Sequence, residues 1–90
     1  MIVVDSSALV AILRREPEAD GFLHIIAQAA NCLLSAVSLL ETSMVLAGRT
    51  GDATSWVELD ALIARAGMQV VAHDAGLAQA ARAAFLRYGK

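Results

Sequence analysis

The chain has 90 residues, of which 58% are apolar, 4% aromatic and 18% charged, and its net charge at pH 7 is −2. This length is typical of one domain, and the high apolar and low charged content excludes a disordered chain. The slightly negative charge argues against a strongly basic nucleic-acid-binding face, although it leaves room for a small basic rim. A single cysteine, Cys32, excludes a disulfide framework and a cysteine-rich zinc site, and it indicates a reducing cytoplasm.

Neither a targeting segment nor a membrane span is predicted. The N-terminal sequence MIVVD has no basic region before its apolar run, which Asp5 ends. Residues 21–40 carry no Asp, Glu, Lys or Arg, and about 20 apolar residues can cross a bilayer. This segment nevertheless contains polar residues and changes its hydrophobic period near Asn31. A helix followed by a strand explains it better, and we expect a soluble protein.

Strands are predicted at three short apolar runs without polar alternation, a pattern typical of strands buried on both faces: 2–4, 32–34 and 69–72. Five helices are predicted from the spacing of apolar residues and from capping signals. They begin after the first strand, near Pro17, after the second strand, at Gly51-Asp52 and near Ala75. The third of these helices is predicted to end near Gly48.

Each predicted helix has a set of apolar residues that we expect to face the core. In chain order these are Ala8, Ile12 and Leu13; Phe22, Ile25, Ile26 and Ala29; Val37, Leu40, Met44 and Val45; Trp56, Leu59, Leu62 and Ile63; and Leu77, Ala81, Ala84 and Phe85. The element order β-α-α-β-α-α-β-α indicates a parallel sheet with right-handed crossovers and helices on both faces. No linker, repeat or low-complexity segment divides the chain, so one α/β domain is predicted.

Two acidic residues are candidates for a functional site. Ligands of open parallel sheets bind beyond the carboxyl ends of the strands, and Asp5 directly follows the first strand. Asp5 also suits a helix N-cap, a role that Ser6 or Ser7 would fill equally well. Glu41 lies in the helix after the second strand.

Glu41 stands among apolar residues at helical spacing, with Val37 before it and Met44 and Val45 after it. This pattern predicts a carboxylate on a buried face, where an unpaired charge costs several kcal/mol and needs a proton, a basic partner or a metal. Asp5 and Glu41 would repel each other at short range, and Mg²⁺ or Mn²⁺ would relieve that repulsion. The alternative is a structural ion pair with Arg14, Arg49 or Arg82.

The other polar candidates have simpler interpretations. Asp74 suits the N-cap of the last helix. His73 follows the third strand but has no adjacent nucleophile pattern, and His24 falls on or near an apolar helix face as a packing residue. Cys32 is predicted to be a small core residue. The dinucleotide and P-loop glycine signatures are absent from the sequence.

Three segments, MIVVDSSALVAIL, SAVSLLETSMVL and AHDAGLAQAARAAFLRYGK, together resemble a PIN-domain protein, and within that family the VapC ribonuclease toxins of bacterial toxin–antitoxin pairs. The resemblance covers residues 1–90 and implies a three-layer PIN-like domain with a central parallel sheet flanked by helices. It implies a Mg²⁺-dependent endoribonuclease that hydrolyses RNA phosphodiester bonds. Asp5 and Glu41 match the family's catalytic, metal-binding acids, and Ser6 matches the Ser/Thr neighbour that orients the site.

The resemblance also implies protein partners. A VapB-type antitoxin would block the site and pack apolar side chains between helices of the toxin, and homodimers are frequent in the family. Residues that could form the antitoxin groove, or could equally be core, are Leu9, Leu13, Phe22, Trp56 and Leu59. Phosphate contacts are predicted from four arginines whose alternative role is a solvated surface charge: Arg14, Arg15, Arg49 and Arg87.

Members of the family continue beyond the RYGK-like segment with a further strand, a helix and more aspartates. Residues 1–90 therefore correspond to the N-terminal portion of the family fold, with its last part missing. The absent strand normally lies beside the first one, so Ile2-Val3-Val4 is predicted to be an exposed apolar edge. A C-terminal companion fragment would supply the remaining acids.

Two other functions remain open at this stage. The chain could be a non-catalytic truncated form that acts only as an antitoxin-binding or oligomerisation module. It could also be a PIN nuclease of RNA maturation and not a toxin.

Overall fold

The computed structural model describes residues 1–50 and 54–88, and within them the side chains of residues 49, 50, 54, 55, 80 and 83–88 are not described. Its elements, in chain order, are β1 (Ile2–Val4), α1 (Ser6–Leu13), α2 (Ala19–Gln28), β2 (Cys32–Ser35), α3 (Ala36–Thr50), α4 (Thr54–Ala66), β3 (Gln69–Val71) and α5 (Ala75–Tyr88). The predicted order of strands and helices is confirmed. The predicted start of the fourth helix at Gly51-Asp52 lies outside the described residues, as do the side chains of Ala84 and Phe85 and those of two predicted phosphate contacts, Arg49 and Arg87.

The three strands form a parallel sheet in the order β1-β2-β3, with Ile2 opposite Cys32 and Leu34 opposite Val70. The α/β class with a parallel sheet flanked by helices is therefore confirmed. Because β1 lies at an edge of the described sheet, one side of its backbone has no strand partner there. Two of its three side chains are nevertheless buried, since Ile2 and Val4 are each 4% exposed, and Val3 is half-buried. The prediction of an exposed apolar edge is right for the backbone of β1 and wrong for these two side chains.

The opposite edge strand, β3, is more open to solvent than the sequence predicts. Gln69 and Val70 are exposed and Val71 is half-buried. The helix that follows β3, α5, contacts β1, and α3 contacts both β2 and β3. The prediction that all three strands are buried on both faces is therefore wrong for β3.

The core lies where α1 meets the sheet and the neighbouring helices. Leu9 of α1, Leu34 of β2 and Leu59 of α4 are essentially inaccessible to solvent. Helix α1 contacts α2, α3 and α4, which makes it central to the packing. Burying each of these leucine side chains stabilises the folded state by about 1.5–3 kcal/mol.

Helix α3 turns a different face to the core from the one predicted. Val37, Leu40, Met44 and Val45 are between 43% and 64% exposed, whereas Thr42 and Leu46 are buried. The buried Thr42 hydroxyl donates to the Ser38 carbonyl at 2.8 Å, so its polar group is satisfied within the helix. Because α3 itself carries apolar side chains on most of its circumference, the periodicity of its sequence alone predicts the wrong buried face.

The other helices follow the predicted pattern with two exceptions. Trp56 is 40% exposed and its indole N–H donates to the Ser43 carbonyl at 2.8 Å. His24, predicted to pack on an apolar face, is exposed on α2. In the part of the chain that the structure describes, no helix has the length and apolar character needed to span a membrane. Residues 21–40 divide among α2, β2 and α3, as the change of hydrophobic period predicts.

Candidate active site

Asp5 lies between β1 and α1, where it caps the helix. Its backbone is extended (φ −99°, ψ 169°), and its Oδ1 accepts the Ala8 backbone N–H at 2.9 Å. The same oxygen accepts the Ser7 hydroxyl, also at 2.9 Å. Since both bonds go to Oδ1, the other carboxylate oxygen is left without a hydrogen bond to the described residues. Asp5 is therefore a helix cap whose side chain is exposed to solvent.

The hydroxyl that orients Asp5 in this structure is that of Ser7. From the sequence, Ser7 is only an alternative cap, and the orienting role is predicted for Ser6. A hydroxyl two residues after an aspartate cap is a local signal that would have indicated this contact. The role of Ser6 stays a prediction.

A second polar cluster begins where β2 ends. Ser35, only 3% exposed, caps α3 by accepting the Ser38 backbone N–H at 2.9 Å. Its own hydroxyl donates to Ser38 Oγ at 3.0 Å. Together with the hydroxyl of Thr42, these bonds hold Ser38 in the first turn of α3.

Glu41 lies one turn beyond Ser38 on α3 and is exposed to solvent. Its predicted burial is therefore wrong, because the stripe to which it belongs is the outer face of α3. In solvent an ionised carboxylate needs no partner, so the need for a metal or an ion pair does not follow from burial. Among the described residues, no ion pair joins Glu41 to Arg14 or Arg82; the Arg49 side chain lies outside that set.

Two residues follow the third strand at the same edge of the sheet. Asp74 Oδ1 accepts the Leu77 backbone N–H at 2.9 Å, which confirms the predicted cap of α5. The preceding His73 is exposed and lines the cavity described next.

A cavity of about 380 Å³ lies along β1, between α2 and α5. Its walls are apolar and include Phe22, Ile25 and Leu77. Its polar lining residues come from the three strand ends, from the first turn of α3 and from α5: Asp5, Ser35, Ser38, His73 and Arg82. The sequence predicts Asp5, Ser35, Ser38 and His73 at one edge of the sheet, and the structure adds Arg82 of α5 to them. Glu41 and Ser6 are not among its lining residues.

The donors at this edge are of the type that hard divalent cations prefer. Asp5 contributes an oxygen that accepts no hydrogen bond from the described residues, whereas Glu41, a second accessible carboxylate, is not among the residues that line the cavity. Mg²⁺ retains several waters and needs only one or two carboxylates, so the chemistry of the Asp5 carboxylate suits such an ion. Within residues 1–50 and 54–88, no group of three or more His, Cys, Asp or Glu side chains is placed to hold a metal.

Cys32 belongs to the core and not to the site. Its side chain is buried under α2, with Sγ 3.7 Å from the Ile26 carbonyl oxygen. Burial raises the pKa of this thiol, because desolvation disfavours the thiolate. The prediction of a core cysteine is confirmed.

Of the five residues predicted to form either an antitoxin groove or core, two are clearly core. Leu9 is 0% and Leu59 is 1% exposed, so neither can contact a partner. Leu13 and Phe22 are half-buried and pack against the core cluster. Trp56 alone of the five is exposed.

Comparison with known proteins identifies close relatives. Residues 2–90 match the family model of the PIN domain. The chain is 44% identical to Ribonuclease VapC of Mycolicibacterium smegmatis, over 99% of this chain and 68% of that protein. It is 43% identical to Ribonuclease VapC30 of Mycobacterium tuberculosis, over 99% of this chain and 67% of the relative. Ribonuclease VapC28 of the same organism is 37% identical, over 99% of this chain and 66% of that protein.

Proposed function

Because the chain belongs to the PIN-domain family, and within it to the VapC group, we propose that it is a toxin-type endoribonuclease that hydrolyses RNA phosphodiester bonds. The observation that carries this proposal is the free oxygen of Asp5 at the cavity beside β1. A carboxylate that is oriented by Ser7 through one oxygen and keeps the other oxygen open suits the metal site of a nuclease. The relatives' names, which all specify ribonucleases, support the same reaction.

Mg²⁺, with Mn²⁺ as the alternative, is the proposed cofactor. Asp5 would bind it directly, and Glu41 would bind it directly or through water. The bound ion would supply Lewis-acid chemistry and an activated water for in-line attack on phosphorus. The chain's own contribution is to hold the Asp5 carboxylate through Ser7 and Ala8 and to present polar donors from the other strand ends.

Two protein partners follow from the VapC assignment. One is a VapB-type antitoxin that blocks the acidic site, and the other is a second copy of the chain in a homodimer. Both need accessible apolar surface, and α3 offers it through Val37, Leu40, Met44 and Val45. The chain would act in the cytoplasm, where its RNA substrate is found and a free thiol such as Cys32 stays reduced.

The free edge of β1 is the proposed attachment point for the remaining part of the family fold, of which residues 1–90 would form the N-terminal portion. Its backbone has no strand partner on one side within the described sheet, and the cavity beside it is walled by apolar side chains. A companion segment that adds a strand there would bring further acids near Asp5. Such pairing satisfies edge hydrogen bonds and buries the apolar wall.

The second candidate function is binding without cleavage. The exposed apolar stripe of α3 favours it, because that surface is suited to protein contact and does not depend on a metal. In that case the chain would capture the antitoxin, or itself, equally well in the presence of a chelator.

The test is cleavage of single-stranded RNA by the purified chain with Mg²⁺, with Mn²⁺ and with EDTA. We expect cleavage with either metal and none with EDTA. Intact-mass measurement of the same sample shows whether a companion fragment is present. Absence of cleavage with both metals, even after a C-terminal fragment of a VapC relative is added, would favour the binding module. Cleavage in EDTA would rule out the metal assignment.

A further inference from the structure

The cavity beside Asp5 contains two hydrogen-bond donors to which no role has yet been given. Ser38 reaches it from the first turn of α3, and Arg82 reaches it from α5. These helices follow different strands, so the two side chains approach the same space from separate elements. From the sequence, Arg82 is only a candidate ion-pair partner of Glu41, and Ser38 is placed at the carboxyl edge of the sheet without a specific role.

Ser38 is held in place by its neighbours. Its backbone N–H donates to Ser35 Oγ at 2.9 Å, and its carbonyl accepts the Thr42 hydroxyl at 2.8 Å. Its Oγ accepts the Ser35 hydroxyl at 3.0 Å. The hydroxyl hydrogen of Ser38 has no acceptor among the described residues, so it remains available for a group in the cavity. A hydroxyl fixed in this way loses little conformational entropy when it binds an acceptor.

Arg82 supplies positive charge at a site that otherwise carries a carboxylate. The titratable or charged side chains that line the cavity are Asp5, His73 and Arg82. The guanidinium group is permanently charged and carries donors in a planar fork that matches two phosphate oxygens. Arg82 is exposed, so its side chain can bind a ligand without breaking a buried contact within the protein.

From this arrangement we infer that Ser38 and Arg82 bind the phosphodiester backbone of the RNA beside Asp5. The inference rests on the proposed ribonuclease function and adds two substrate-binding residues to it. Arg82 neutralises phosphate charge, and the Ser38 hydroxyl donates to a phosphate oxygen and fixes its orientation. Neither residue reads a base, so their contribution is the same for different RNA sequences.

The test measures binding of a fluorescein-labelled single-stranded RNA by anisotropy at several salt concentrations. All proteins carry Asp5→Asn, so that the RNA stays uncleaved while the α1 cap is kept. The variants added to this parent are Ser38→Ala, Ser38→Thr and Arg82→Ala. Matched controls are Ser43→Ala, which removes a half-buried hydroxyl donating to the Leu39 carbonyl, and Arg65→Ala, which removes an exposed arginine from α4. Neither control residue lines the cavity.

We expect Arg82→Ala to weaken binding about tenfold and to reduce the slope of log K against log salt by about 0.7, the value for one phosphate contact on a single strand. Ser38→Ala should weaken binding several-fold with an unchanged slope, because the hydroxyl carries no charge. Ser38→Thr should bind like the parent, because threonine keeps the hydroxyl. Both controls should stay within about twofold of the parent, as surface substitutions away from a contact usually do.

Two results would overturn the inference. If Ser38→Ala and Arg82→Ala bind like their controls, the proposed contacts are wrong while the ribonuclease function stands. If the parent binds no RNA and the unmodified chain cleaves none, the proposed function fails and this inference fails with it. Thermal unfolding of each variant separates loss of contact from loss of fold.

Discussion

Ser7 Oγ lies 2.9 Å from Asp5 Oδ1 and donates a hydrogen bond to it, and the same carboxylate oxygen accepts the Ala8 backbone N–H. These two bonds fix the carboxylate at the start of α1 and leave its other oxygen open. One residue therefore serves both the fold, as a helix cap, and the proposed chemistry, as a ligand. Because of this double role, different substitutions of Asp5 should affect stability and activity differently.

Asp5→Asn should abolish RNA cleavage and leave the fold intact. The amide oxygen can accept the same two hydrogen bonds, but the amide lacks the charge that holds a divalent cation. We expect a loss of more than about 100-fold, since even residues that only support a metal ligand are worth 10- to 100-fold. Rates of RNA cleavage with Mg²⁺ and thermal unfolding measure the two properties.

The matched variant at this position is Asp5→Ala, which removes the cap together with the charge. It should be equally inactive but also less stable, by about 1 kcal/mol. Retained cleavage in Asp5→Asn would contradict the metal assignment.

Ser7→Ala should lower the affinity of the protein for Mg²⁺, because the Asp5 carboxylate loses the hydroxyl that orients it. By the usual effect of such supporting hydrogen bonds, the loss should be about 10-fold or more. The Mg²⁺ concentration that gives half-maximal RNA cleavage is the measurement. Ser6→Ala is the comparison, since Ser6 makes no such bond among the described residues. An effect of Ser6→Ala larger than that of Ser7→Ala would show that Ser6 orients the site.

Leu59→Ala should destabilise the protein by about 2–5 kcal/mol, because Leu59 is only 1% exposed and its truncation leaves a cavity in the core. Val57→Ala on the same helix is the control, since Val57 is 70% exposed. Urea unfolding followed by circular dichroism measures both. Equal, small losses for the two variants would contradict the tight packing of Leu59 in the core.

Leu40→Glu should weaken homodimerisation without unfolding the chain. Leu40 is 59% exposed on the outer face of α3, so a charge there costs little in the monomer but much in an apolar interface. Sedimentation velocity gives the oligomeric state, and Gln28→Glu on α2 introduces the same charge at another exposed position. A dimer that survives Leu40→Glu unchanged would move the interface away from this face, and a monomeric parent chain would contradict the homodimer.

Raising the pH through the alkaline range should lower the free energy of unfolding because of Cys32. Burial raises the pKa of this thiol in the folded protein above its ordinary value of 9.0, whereas the unfolded thiol ionises near that value. Between the two pKa values the folded state holds more protons than the unfolded state, so stability falls as the pH rises. The contribution is fully present below pH 9 and is lost as the pH passes through the folded-state pKa.

The measurement is urea unfolding from pH 7 to pH 10 under reducing conditions, with Cys32→Ala as the comparison. The decline above pH 9 should be steeper in the parent protein than in Cys32→Ala. Parallel pH profiles would show that other groups cause the loss.

The sequence by itself determined the order and approximate bounds of all the elements. The signals for these elements are local: short apolar runs, a proline near the start of α2 and aspartates before α1 and α5. Each acts on the backbone of residues nearby in the chain, so it can be recognised without the tertiary structure. The same signals located Asp5 at a strand end and Asp74 at a cap. The resemblance to the PIN family was also visible in the segments that contain Asp5 and Glu41 and in residues 72–90.

Only the tertiary structure decided which surfaces are buried. Helix α3 is apolar on most of its circumference, so its sequence allows several core-facing orientations, and packing against α1 and β2 selects the one that buries Thr42 and Leu46. That choice exposes Glu41. Ser38 lines the cavity beside Asp5 at the edge where its place after β2 predicts it. Arg82 joins them because α5 returns to β1, a contact between residues distant in the chain. Such contacts depend on the balance of packing over the whole domain, and no local signal in the sequence encodes them.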